Sequence, residues 1–188
     1  MPTVGTSPPR SDGRDKVTGR TKYIDDLTFP GMLHGATIRS TLPHAEILQI
    51  TLDSSFDWSD IVRVDASDIP GENCIALILK DQPCLVGKIT NHVAEPVVLL
   101  ACTDRQKLLE ATRHVRIDYK PLPAIFDPLE ALRNGAFLKR LEIRKGDLKS
   151  GWAESEIVVE GEYRTHRQEH TYIEPSGVIA VPECDGRI

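Results

Sequence analysis

The stretch from Glu95 to Tyr119 reads EPVVLLACTDRQKLLEATRHVRIDY, and it decides the fold. Residues 96–102 are an apolar run that predicts a strand, and Cys102 within it is expected to be a buried thiol. Small or apolar residues then recur at helical spacing: Leu108, Ala111 or Thr112, and Val115. Residues 115–119 predict a second strand, and Pro121 ends it because proline cannot donate to a sheet ladder. The pattern therefore predicts a strand, a helix and a strand within 25 residues.

This order predicts a β-α-β unit with a right-handed crossover. Thr103 is the expected N-cap of the helix, and Gln106 three residues later would complete a capping box. Arg113 and His114 fall at the C-terminal end, where the helix dipole favours positive charge. No glycine-rich loop separates the strand from the helix. The unit is therefore predicted to be scaffold and not a phosphate-binding site.

Upstream of this unit the pattern predicts three more strands. The first follows the turn at Pro30-Gly31 and runs to about Arg39. The others span residues 46–52 and 61–64, and the former should place Leu48, Ile50 and Leu52 on one face. Residues 74–79, CIALIL, are expected to be a short buried run. Residues 1–20 are expected to be an extended arm, since proline and glycine interrupt regular structure there.

Downstream, residues 127–132 and 146–154 predict short helices. Residues 134–145 predict a loop or a strand around 141–143. Two further strands are expected at 157–165 and 178–181. Such apolar strands need cover, so we expect a partner to order them or self-association to occur.

The polar segment between these last strands contains the main candidate site. It reads RQEHTYIEP from residue 167 to residue 175 and is dense in hydrogen-bonding side chains. Polar groups fixed between two strands suit a binding site. The alternative is an ordinary solvated connection, because most loops are polar for no further reason.

Two motifs resemble the xanthine dehydrogenase and aldehyde oxidase family of molybdenum hydroxylases. QEH-x-YIEP at 168–175, preceded by VEGEY at 159–163, is similar to the start of that family's molybdopterin-binding region. RDKVTG at 14–19, followed by PGMLH at 30–34, is similar to the start of its large subunit. The chain departs from the family where glycines are usual: at His166-Arg167, and around His92 and Ala94.

The resemblance implies an α+β fold, in which an α/β hammerhead-like mixed sheet contains the β-α-β unit. The expected divisions are an arm at 1–20, the hammerhead domain at 21–145, and a linker with the first strands of a molybdopterin-binding domain at 146–188. The implied function is the N-terminal part, or a small subunit, of an enzyme that oxidises purines, aldehydes or related heterocycles. The alternatives are a non-catalytic interaction module and a truncated orphan fragment.

The resemblance also implies one site residue. In the family, the glutamine of the QEH motif hydrogen-bonds an oxygen ligand of the molybdenum, and Gln168 is the matching position. The family's catalytic glutamate and most pterin contacts lie downstream of the motif, so we expect no catalytic residue and no metal ligand in this chain. Molybdopterin is expected only in the complete enzyme. The implied partners are the remaining molybdenum-subunit polypeptide, an iron–sulfur subunit and, in many members, an FAD subunit.

Composition limits the other function classes. The chain has 188 residues, a formal net charge of −5 and a hydrophobic fraction of 40%. Its scattered basic residues give no reason to expect nucleic acid. It contains no apolar run long enough for a membrane span and no secretory signal, so we expect a cytoplasmic protein. The four cysteines lack the CxxC spacing of zinc or iron–sulfur ligands and are expected to be reduced.

Histidines and carboxylates are the other side chains suited to chemistry. His166 and His170 would lie about 13 Å apart on a strand, too far for one zinc ion. The remaining histidines are isolated in sequence: His34, His44, His92 and His114. Glu169 and Glu174 are candidates for acid–base work, although both also suit an ordinary polar role. Ser176 lacks the G-x-S-x-G context of a serine hydrolase nucleophile.

Overall fold

The computed structural model describes residues 4–76 and 78–188. The chain forms two compact units: one spans Pro30–Glu142, and the other combines residues up to 29 with residues 143–188. Across the described part of the chain, no helix has the length and the apolar character needed to cross a bilayer.

The first sheet of the unit Pro30–Glu142 has three strands. Strand β5 (Pro96–Cys102) lies in the centre, between β1 (His34–Arg39) and β3 (Val62–Val64). Both pairings are antiparallel. The β1–β5 register begins with His34 opposite Cys102 and shifts once, between Ile38 and Arg39. The central position of β5 explains its apolar sequence, because both of its edges are paired and most of its side chains are buried.

The second sheet also has three antiparallel strands. Strand β2 (Ala45–Leu52) lies between the two-residue strand β4 (Ile89–Thr90) and β6 (Val115–Pro121). A bulge between Ile47 and Gln49 interrupts the β2–β6 register.

Helix α2 (Arg105–Ala111) closes the core between the end of β5 and the start of β6. The core centres on β5 and this helix; its buried members are Val86, Val97, Val98, Leu100, Cys102, Leu108 and Ala111. The burial predicted for Cys102 is confirmed, with 1% of its surface exposed. The N-cap is Asp104 and not Thr103 as predicted: one carboxylate oxygen of Asp104 accepts from the backbone N–H groups of Gln106 and Lys107. A carboxylate one residue later reaches the same orphan donors and also suits the helix dipole.

The predicted order of strand, helix and strand is confirmed, but the β-α-β crossover within one sheet is wrong. Strands β5 and β6 lie in different sheets, and every strand pairing in the described part of the chain is antiparallel. The reason is that β1 and β3 already occupy both edges of β5, so β6 cannot pair with it. Strand β6 pairs with β2 instead.

The three upstream strands are confirmed, with two corrections of detail. Leu48 does not share an inward face with Ile50, since Leu48 is 60% exposed and Ile50 packs on the core. The bulge shifts the alternation of side chains by one position, and Ile47 takes the inward place. The run at 74–79 is not buried: Ile75, Ile78 and Leu79 are exposed, while Leu77 lies outside the described residues.

Two predicted short helices are confirmed as α3 (Pro128–Arg133) and α4 (Leu148–Glu154). Within the predicted extended arm, residues 1–3 lie outside the described residues and residues 13–17 form a short helix, α1 (Gly13–Val17). The strands predicted at 157–165 and 178–181 are wrong for this structure. Residues 155–188 contain no strand, and no described segment pairs with them, so their apolar side chains are largely exposed. A strand needs a hydrogen-bonded neighbour, whatever its side-chain pattern.

Candidate functional site

The segment that contains Gln168 belongs to the unit formed by residues up to 29 and 143–188. Its backbone is irregular from residue 155 onward, and the side chain of Gln168 is exposed. In the described part of the chain, the Gln168 carboxamide has no hydrogen-bond partner. It therefore retains both a donor and an acceptor for an external group.

A tight turn follows Gln168 immediately. The backbone N–H of His170 donates to Oε1 of Glu169 at 2.9 Å, and the hydroxyl of Thr171 donates to the carbonyl oxygen of Glu169 at 3.3 Å. The ring of His170 stacks on that of Tyr172, with centroids 5.6 Å apart and the planes nearly parallel. These contacts are local to residues 169–172.

Thr171 lies in the left-handed region, with φ of 52°. A β-branched residue there is an outlier that costs of the order of 1–2 kcal/mol. Strain of this kind persists only where surroundings enforce it, and it is common at ligand-binding segments. The amino-acid type gave no signal of this conformation, because threonine favours extended backbone.

Two glycines near Gln168 lie close to side chains of the same unit. A Cβ on Gly161 would lie 2.9 Å from the hydroxyl oxygen of Tyr163, so this side chain folds back over the glycine. A Cβ on Gly177 would lie 2.9 Å from Cγ2 of Ile24. A side chain at either glycine would require its neighbour to shift.

The other candidates do not converge with Gln168. Glu169 is engaged in the turn, and Glu174 is exposed. His166 and Arg167, which stand where the family usually has glycines, are also exposed. Among the described residues, no three His, Cys, Asp or Glu side chains lie close enough together to hold a metal ion.

Gln168 is the candidate for contact with a molybdenum cofactor among the described residues. An exposed carboxamide without an internal partner can donate to, or accept from, a ligand of the metal. It provides no metal ligand itself, because a neutral amide is a weak donor compared with a thiolate or imidazole. Gln168 would therefore orient a bound cofactor and would not anchor it.

Two antiparallel sheets closed by one helix form the unit Pro30–Glu142, and the exposed segment with the QEH motif belongs to the other unit. The family model "Aldehyde oxidase and xanthine dehydrogenase, a/b hammerhead domain" matches residues 18–123, and the model "Molybdopterin cofactor-binding domain" matches residues 130–188. The chain belongs to the aldehyde oxidase and xanthine dehydrogenase family of molybdenum hydroxylases. Molybdopterin is the cofactor of the complete enzyme.

Individual relatives agree with this assignment. The chain is 36% identical, over 94% of its length, to a probable xanthine dehydrogenase subunit of Bacillus subtilis (strain 168). It is 31% identical, over 98% of its length, to the nicotinate dehydrogenase large molybdopterin subunit of Eubacterium barkeri. It spans 25% and 46% of the length of these two relatives. Quinoline 2-oxidoreductase from Pseudomonas putida 86 has a similar fold, with a TM-score of 0.61 and 28% identity, over 68% of this chain and 17% of that one.

Proposed function

We propose that this chain supplies the hammerhead domain and the first part of the molybdopterin-binding domain of a molybdenum hydroxylase. The observation that carries the proposal is the exposed Gln168 carboxamide, without an internal partner, within the segment that matches the molybdopterin-binding domain. The substrate class is a purine, an aldehyde or a related nitrogen heterocycle. Support comes from the relatives, whose names refer to xanthine, nicotinate and quinoline.

The chemical role proposed for this chain is orientation. The molybdenum cofactor supplies the redox chemistry when it is bound. Gln168 donates or accepts one hydrogen bond that sets the direction of a ligand of the metal. Glu169 accepts a hydrogen bond from the backbone N–H of His170 and is given no catalytic role in this proposal. In this proposal the base comes from outside the segment.

The proposal includes the partners and the setting of the chain. The partners are the remaining molybdenum-subunit polypeptide, an iron–sulfur subunit and an FAD subunit; the two curated relatives are themselves named as subunits. A cytoplasmic location belongs to the same proposal, and the free thiols of the four cysteines are compatible with a reducing compartment. The proposal also includes the division into an arm at 1–20, a hammerhead domain at 21–145 and a cofactor-binding part at 146–188.

The test compares Gln168→Ala with Gln106→Ala in a complex reconstituted with the remaining molybdenum polypeptide and the iron–sulfur subunit. Both residues are exposed glutamines, but Gln106 lies on helix α2 in the other unit. We expect Gln168→Ala to lower turnover by about ten- to a hundredfold, since groups that orient ligands contribute on that scale. The molybdenum content should fall by a smaller factor, and Gln106→Ala should match the wild type in both measurements.

Three results would contradict the proposal. Wild-type turnover for Gln168→Ala would leave this residue without a role at the cofactor. Equal losses of turnover and of molybdenum would make it an anchor and not an orienting group. Full turnover of a complex that lacks this chain would favour an interaction module.

A further inference from the structure

We draw no further inference here: the strongest candidate, the exposed segment between helices α3 and α4 in which Lys139, Arg140 and Lys145 stand among large apolar side chains, carries nothing because nothing in the described structure shows what covers it.

Discussion

Nδ1 of His114 lies 3.0 Å from Oδ2 of Asp53, which joins the residue after β2 to the residue before β6. The backbone N–H of Asp53 also donates to the carbonyl oxygen of His114, at 2.9 Å. Phe56 stacks on the imidazole with its ring centroid 4.5 Å away, and Phe56 itself packs against the core. This pair therefore extends the β2–β6 ladder and fixes the start of the segment that covers the core.

The same pair predicts a loss of stability in acid. The backbone N–H of Ser55, followed by the side chain of His114, lowers the pKa of Asp53 from 3.8 to about 2. Because the folded-state pKa lies below the unfolded one, this contribution to stability is present above about pH 4 and is lost between about pH 4 and 2. The Asp53→Asn variant should lose less stability than the wild type between pH 5 and pH 3, as measured by urea unfolding.

The exposed carboxylate Asp25 provides the control. Asp25→Asn should keep the wild-type slope of stability against pH. If Asp53→Asn has the wild-type slope too, the hydrogen bonds to Asp53 do not persist in solution.

The position of the N-cap of α2 gives a second prediction. Asp104→Ala should destabilise the protein by about 1 kcal/mol, because the backbone N–H groups of Gln106 and Lys107 lose their acceptor. Thr103→Ala is the matched control and should change the free energy of unfolding by less than about 0.5 kcal/mol. Equal effects at the two positions, measured by urea unfolding, would contradict the observed cap.

Most of the local structure could be predicted from the sequence, whereas strand pairing could not. The apolar run of β5, the spacing of α2 and the presence of α3 and α4 follow from local pattern alone. The assignment of β5 and β6 to different sheets depends on β1 and β3, which lie far away in sequence and occupy both edges of β5. Periodicity contains no information about such distant pairings.

The bulge in β2 gives a third prediction. Ile50→Ala should destabilise by about 2 kcal/mol, since Ile50 packs against the core. Leu48→Ala should change stability by less than about 0.5 kcal/mol, because Leu48 is 60% exposed. The uninterrupted alternation suggested by the sequence would give equal, large losses at both positions. Urea unfolding of the two variants distinguishes these outcomes.

At the candidate site, the sequence motif identifies Gln168, and the structure shows which residues surround it. Gln168 was identified only through the resemblance of its motif. The left-handed conformation of Thr171 could not be predicted, because threonine does not favour it. The proximity of Gly177 to Ile24 could not be predicted either, because these residues are more than 150 positions apart. The motif identifies Gln168 as a candidate, but only the structure shows whether its carboxamide has a hydrogen-bond partner.

Ala94 gives a fourth prediction, because it has a φ of 69° where the family usually has glycine. Its backbone is fixed there: the N–H donates to the carbonyl oxygen of Ser40 at 2.8 Å, and Arg39 donates to its carbonyl at 2.9 Å. Glycine has no left-handed penalty, so Ala94→Gly should stabilise by about 0.5–1 kcal/mol. The same change at Ala101, within β5, should destabilise by about 0.5–1 kcal/mol. Destabilisation by both variants in thermal or urea unfolding would contradict the strained conformation.

Hydrogen exchange provides the last prediction, by comparing segments with similar apolar content and different pairing. Amides of β5 and β6 donate within antiparallel ladders, whereas residues 157–165 and 178–181 have no strand partner in the described part of the chain. Exchange from the ladders requires near-global unfolding, so it should be at least about 10³-fold slower, which corresponds to a free energy of opening of about 4 kcal/mol or more. Addition of the remaining molybdenum polypeptide should slow exchange at 157–165 and 178–181 and leave β5 and β6 unchanged.

If the isolated chain protects 157–165 as strongly as β5, these residues form a paired strand in solution without any partner. Their exposure in the structure would then give no support to the proposed partner.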